Sequence, residues 1–101
     1  MEIITVQSLK DRKDKGETLH LVDVREPDER AEFNIGGTFL PLGNILTMQT
    51  DDIAELQNEE VICYCRSGKR SMQAALMLES LGFTNVKSLD GGITAWQENY
   101  S

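Results

Sequence analysis

Three short apolar runs interrupt an otherwise mixed chain. Leu19-His20-Leu21-Val22-Asp23-Val24 is apolar on both alternating faces apart from His20 and Asp23, and Val61-Ile62-Cys63-Tyr64-Cys65 is apolar without a break. Val86-Lys87-Ser88-Leu89 is shorter and weaker. Strands apolar on both faces suit a parallel sheet covered from both sides. Ile3-Ile4-Thr5-Val6 and Thr38-Phe39-Leu40 predict small edge strands, the second stopped by Pro41, whose missing N–H cannot continue a ladder.

Helical patterns fall between these runs. Lys10-Asp11-Arg12-Lys13-Asp14-Lys15 carries mixed charge and reads as a solvated helix face ending at Gly16. Pro27 suits a first helical turn, and Asp28 and Glu29 complement the helix dipole of a segment running to Phe33. Thr50-Asp51-Asp52 opens a further helix presenting Ile53, Leu56 and Ala54. Ser71 to Leu81 is the strongest pattern: Ala74-Ala75-Leu76-Met77-Leu78 is apolar all round, which predicts a helix buried on most sides. Gly82 fits the left-handed position after it, letting Phe83 pack back on Leu78. A last helix follows Gly91-Gly92, anchored by Ile93 and Trp96. The alternation predicts one α/β domain over residues 1–101 with a mainly parallel sheet. Ligands in such sheets bind at the carboxyl ends of the strands, here Arg25-Glu26, Cys65 to Arg70 and Asp90-Gly91-Gly92.

Composition narrows the function classes. With 40% hydrophobic residues the chain can form a core, which excludes a disordered or fibrous protein. No apolar run approaches the ~18 residues of a membrane span. Ten basic against 17 acidic residues leave a net charge of −7, the wrong sign for binding nucleic acid through an overall field. Met1-Glu2-Ile3-Ile4 lacks the basic region and apolar stretch of a signal peptide. The two cysteines, Cys63 and Cys65, stand too close to staple distant segments, so a reducing, cytoplasmic setting is expected. His20 is the single histidine and no zinc set can be assembled, so no metal or cofactor is expected.

The chemistry concentrates in Tyr64-Cys65-Arg66-Ser67-Gly68-Lys69-Arg70-Ser71, between an apolar strand and a buried helix. A tight turn there aims successive N–H groups inward as an anion-binding nest at a helix N-terminus. Arg66, Lys69 and Arg70 add positive charge to an otherwise acidic chain, and Gly68 supplies a backbone angle or close approach that a side chain would block. Such settings favour thiolate, lowering cysteine pKa values from ~8.5 to about 3.5–7.5. A cysteine at a strand end is otherwise a small buried hydrophobe, and that reading is kept for Cys63.

Four stretches in this order resemble the single-domain rhodanese-like sulfurtransferases. They are Asp23-Val24-Arg25-Glu26-Pro27, Ile35-Gly36-Gly37 leading to Pro41, Cys65 to Ser71, and Leu81-Gly82-Phe83-Thr84-Asn85-Val86 with Leu89-Asp90-Gly91-Gly92-Ile93-Thr94-Ala95-Trp96. The resemblance runs from Ile4 to Trp96 and implies a five-stranded, mainly parallel sheet with helices on both faces. It also implies a cysteine that carries a persulfide, matched here by Cys65. Arg66, Ser67, Gly68, Lys69 and Arg70 match the loop cradling that sulfur. Asp23 and Arg25 match a pair under the loop, as an ion pair rather than as chemistry, and Ser71 completes the support. Asn34 and Thr38 stand where the family usually has His and Ala, which bears on the entrance loop and not on the nucleophile. Phosphatases and arsenate reductases of the same fold place five residues between Cys and Arg, whereas four separate Cys65 from Arg70.

The expected reaction is sulfur transfer in two half-reactions. A Cys65 thiolate takes sulfur from a small anionic donor such as thiosulfate and gives it to a thiol or to cyanide, which needs no adjacent general base. The alternatives are a persulfide carrier working between the proteins of a sulfur relay and, behind it, a phosphatase or arsenate reductase. A Cys63–Cys65 redox pair is poorly placed for a bridge.

Overall fold

The apolar runs become the inner strands of one sheet in the computed structural model, which describes residues 1–100. In chain order the elements are β1 (Glu2–Ile4), α1 (Val6–Asp14), β2 (His20–Asp23), α2 (Pro27–Glu32), β3 (Thr38–Phe39) and α3 (Leu42–Leu46). A 3-10 helix (Asp51–Leu56), β4 (Glu60–Tyr64), α4 (Lys69–Ser80), β5 (Asn85–Leu89) and α5 (Gly92–Tyr100) follow. The sheet order is β1-β5-β4-β2-β3, and every neighbouring pair is parallel. All strands therefore end on one edge, and the three loops singled out above lie along it.

Strand parity divides the core. Val61, Cys63 and Cys65 of β4 and its end join Val86, Ala74, Ala75, Leu78 and Ile45 on the face covered by α4 and α3. Ile62 and Tyr64 point the other way, to Leu9 of α1 and to Ile93 and Trp96 of α5. Among the described residues, twenty-two apolar side chains are buried in these two layers. Each fully buried one contributes roughly 1.5–3 kcal/mol relative to exposure, which is what makes the β4 register hard to slip.

Several boundaries differ from the sequence-based expectation, each for a local reason. The edge strand stops at Ile4, because Thr5 caps α1 by accepting from the Ser8 amide at 3.0 Å, and Val6 opens the helix. The segment after Thr50 forms a 3-10 helix with a break at Ile53, which is fully buried, while Ala54 faces solvent. α3 was not anticipated: five residues following Pro41, containing Gly43 and Asn44, carry no helical period. α4 is buried on one face only, since Leu76 is 55% and Met72 42% exposed, contrary to its all-round apolar pattern. It ends as expected, with Gly82 at φ 99° and the Phe83 amide donating to Leu78 O at 3.0 Å.

Candidate active site

The site begins where β4 ends. Cys65 continues the parity of Cys63, so its side chain turns toward the start of α4. Gly68, the N-cap residue of α4, sits at φ 105° and has no side chain to satisfy the first-turn amides. The Cys65 sulfur takes that place. It accepts from the Gly68 amide at 3.1 Å and the Ser71 amide at 3.3 Å, and as a thiol it donates to the Ser71 hydroxyl oxygen at 3.6 Å. Cys65 is thus a capping group supplied from outside the helix, and negative charge on it gains from the helix dipole. With 1% of its surface exposed, it lies at the bottom of the loop.

The opposite wall is the start of α5. Amides of Ile93 and Thr94 donate to the Cys65 and Arg66 carbonyls, both at 2.9 Å, so two orphan helix donors fix the loop backbone. Contact this close requires Gly92, because a Cβ there would overlap the Cys65 carbonyl oxygen. The loop is therefore held between two helix N-termini.

The three cations of the loop have different roles. Arg66 and Lys69 are exposed and have no ion-pair partner among the described residues, and Ser67 beside them is exposed too. Arg70 is committed elsewhere: its two terminal nitrogens donate to Glu29 on α2 at 2.7 and 2.9 Å. The Arg70 guanidinium holds the Glu29 carboxyl down at about 2, assisted by the amide of Glu26. A cleft of about 310 Å³ opens beside Arg66 between α2 and α5, lined also by Arg25, Glu29, Glu32, Phe33, Thr94 and Glu98.

Asp23 is fully buried and is met by two arginines. Arg25 donates to it at 2.8 and 2.9 Å, and Arg30 of α2 at 3.2 Å. The hydrogen bonds of this cluster run to the chain at 33–37 rather than to the backbone of 66–70. Arg25 donates to Phe33 O, Arg30 to Gly37 O, and the Tyr64 hydroxyl to Gly36 O. Its link to the loop is Tyr64, whose ring lies 5.5 Å from the Arg25 guanidinium and which immediately precedes Cys65. The Asn34 side chain accepts from Gly36 N at 2.8 Å and so braces the same turn.

Cys63 is wholly buried, and burial, followed by the nearby charge of Cys65, pushes its thiol up to about 12. His20 opens β2 at the edge of the sheet opposite the loop, so it cannot serve Cys65. No group of three His, Cys, Asp or Glu side chains among the described residues could hold a metal ion. Likewise no described helix is long and apolar enough to cross a membrane. Sequence reasoning did not reach Glu29, Arg30 or Ser88 as parts of the site, and it included Tyr64 in the stretch without giving it a role. Only Glu29 carried a signal, as a first-turn acid, and that signal named the helix and not the partner.

An N–H cradle around a strand-end cysteine, closed by a Gly-Gly helix start, defines the class, and the chain belongs to the rhodanese-like domain family, whose model matches residues 5–99. It is 38% identical over 101 residues to the putative sulfurtransferase YtwF of Bacillus subtilis, covering 96% of this chain and 93% of that protein. It is 36% identical over 94 residues to the probable adenylyltransferase/sulfurtransferase MoeZ of Mycobacterium tuberculosis; the match takes in 92% of this chain but spans about a quarter (24%) of MoeZ. Among solved structures, the human single-domain sulfurtransferase TSTD1 superposes with a TM-score of 0.83 at 25% identity, covering 100% of this chain and 99% of that one.

Proposed function

We propose that this chain is a sulfurtransferase that carries sulfane sulfur as a persulfide on Cys65. The observation that carries the reading is the pair of amides, Gly68 N and Ser71 N, converging on one sulfur at the bottom of a cationic loop. In the first half-reaction the Cys65 thiolate attacks the outer sulfur of an anionic donor such as thiosulfate. A bond forms between the two sulfurs, the bond to the sulfonate sulfur breaks, and sulfite leaves with the electron pair. In the second, a thiol or cyanide attacks the outer sulfur and Cys65 leaves as thiolate. Amide donors that hold the anion before and after transfer are the electrostatic part of the catalysis, and no proton has to be removed by a neighbouring base. Arg66 and Lys69 would attract the anionic donor.

The arrangement of Arg70 supports sulfur over phosphate as cargo. Relatives that handle phosphate place five residues between Cys and Arg, whereas four separate Cys65 from Arg70, and the Arg70 guanidinium is turned to Glu29 by both terminal nitrogens. Intact mass after incubation with thiosulfate tests the reading: one sulfur atom gained, and lost again on adding cyanide. Hydrolysis of an aryl phosphate with no mass gain would overturn it, and sulfur loaded but held against cyanide would favour a carrier between protein partners.

A further inference from the structure

Behind the Cys65 cradle lies a second hydroxyl that the reaction just described does not use. Ser88 is on β5, beside Cys63 in the sheet register, and its side chain enters the apolar layer under α4 with 1% of its surface exposed. A buried hydroxyl is costly without a partner. Its partner is the Ser71 hydroxyl, at 2.7 Å.

Counting protons sets the direction of that bond. Ser71 Oγ has three neighbours: Gly68 O at 3.1 Å, Cys65 Sγ at 3.6 Å and Ser88 Oγ. Ser88 Oγ has Ser71 as its one hydrogen-bond partner among the described residues. Each hydroxyl has a single proton. If Ser71 gave its proton to Ser88, the Ser88 proton would be buried without an acceptor. Satisfying both groups therefore makes Ser88 the donor and Ser71 the acceptor.

We infer that Ser88 is a positioning residue for the nucleophile, acting through Ser71 to keep the Ser71 proton available to the Cys65 sulfur. With Ser88 donating, the Ser71 O–H chooses between Gly68 O and Cys65 Sγ. While Cys65 is a thiol, its S–H points at Ser71 Oγ and the Ser71 proton rests on Gly68 O. When Cys65 ionises, the Ser71 O–H turns to the sulfur as a third donor beside the two amides. The bond accepted from Ser88 polarises that O–H and strengthens it as a donor. The same bond occupies Ser71 Oγ and so weakens its hold on the thiol proton. Both effects favour the thiolate. The inference rests on Cys65 being the reacting sulfur of the proposed function, but its test needs no sulfur donor.

The test is the pH profile of Cys65 alkylation by iodoacetamide, followed by mass, in the whole chain. Ser88→Ala should move the pH of half-maximal rate upward by about 0.3–0.6 units, the size expected when a hydrogen bond to a charged group loses its cooperative partner. Ser88→Thr, which keeps the hydroxyl, should retain the wild-type profile. In a Ser71→Ala background, itself shifted upward, Ser88→Ala should add nothing further, because the route runs through Ser71. A wild-type profile for Ser88→Ala would overturn the inference. So would an alanine-like profile for Ser88→Thr, or a full shift that persists without Ser71. Failure of sulfur loading with these profiles intact would instead count against the proposed reaction alone.

Discussion

Arg70 grips Glu29 across 41 residues of sequence, with both terminal guanidinium nitrogens within 2.9 Å of its two carboxylate oxygens. The bond fastens the first turn of α4, directly after the Cys65 loop, to α2. The Glu26 amide also donates to Glu29, so one carboxylate closes a capping box and holds the loop.

That geometry sets an acid dependence. The Glu29 carboxyl is held at about 2, below its ordinary 4.5, by Arg70 first. A depressed folded-state value contributes stability above the unfolded value and loses it as pH falls from about 4.5 toward 2. Solvent reaches one side of the pair, so the contribution is about 1–2 kcal/mol rather than the full shift. Glu29→Gln should lower stability at pH 7 by that amount and flatten the loss between pH 4.5 and 2.5. Chemical denaturation at a series of pH values checks this. A slope equal to wild type would mean the pair contributes nothing; Glu60, held at about 2 by Arg12 and Lys87, remains as a second titrating group in both proteins.

The two cysteines should separate cleanly. Cys65→Ser is expected to remove sulfur loading, to below a few per cent of wild type, with the fold retained, since a hydroxyl does not ionise at neutral pH as a thiol does. Cys63 is a buried thiol pushed to about 12 and stays protonated under any assay condition near neutrality. Cys63→Ser should keep loading and lose about 1–3 kcal/mol, the cost of a hydroxyl in an apolar layer. Mass after thiosulfate treatment and a thermal melt on both variants decide it. Folded but inactive Cys63→Ser would assign that thiol a chemical role.

Asp23→Ala should act on architecture. It strands Arg25, which is 3% exposed, and removes one of the Arg30 contacts, so a loss of about 3–5 kcal/mol is expected for a buried pair broken on one side. The first backbone to loosen should be 33–37, where Arg25, Arg30 and Tyr64 donate. Faster amide exchange there than at 66–70 is the expected pattern, and an unchanged melting midpoint would contradict it.

What the sequence made legible was local. Cys65, Gly68 and the three loop cations are adjacent in the chain, so their convergence needs only one turn, and Gly91-Gly92 marks where α5 meets that turn. The parallel sheet was legible because β2 and β4 are apolar on both faces. Contacts made across the fold were not. Nothing in Glu29, Arg30 or Ser88 distinguishes a surface acid, a surface base and a strand serine until the sheet order sets α2 beside the Cys65 loop and β5 under α4. The Asp23–Arg25 pair was legible and forms as expected; the second partner, Arg30 on α2, was not. Leu76 and Met72 misled because apolar composition reports what can be buried, not what is covered.

Arg66 and Lys69 permit a test of what the remaining charge does. Both are exposed and unpaired among the described residues, unlike Arg70, so removing either leaves the packing of the loop intact. Arg66 follows Cys65 in the chain and Lys69 opens the helix whose first-turn amides hold the sulfur, and charge on exposed side chains is screened over ~8–10 Å in ordinary buffers. Arg66→Ala and Lys69→Ala should therefore slow thiosulfate loading by about two- to fivefold at low salt, with the gap to wild type closing as salt is raised. Alkylation separates attraction of the anion from activation of the thiol. Iodoacetate is an anion and iodoacetamide is neutral, while both report the same sulfur. Loss of attraction lowers the iodoacetate rate relative to iodoacetamide, and loss of thiolate lowers both together. The exposed position of the two side chains favours the first outcome, since the amides of Gly68 and Ser71 already hold the sulfur from within. Equal losses with both reagents, insensitive to salt, would show that these cations act on the nucleophile and not on its partner.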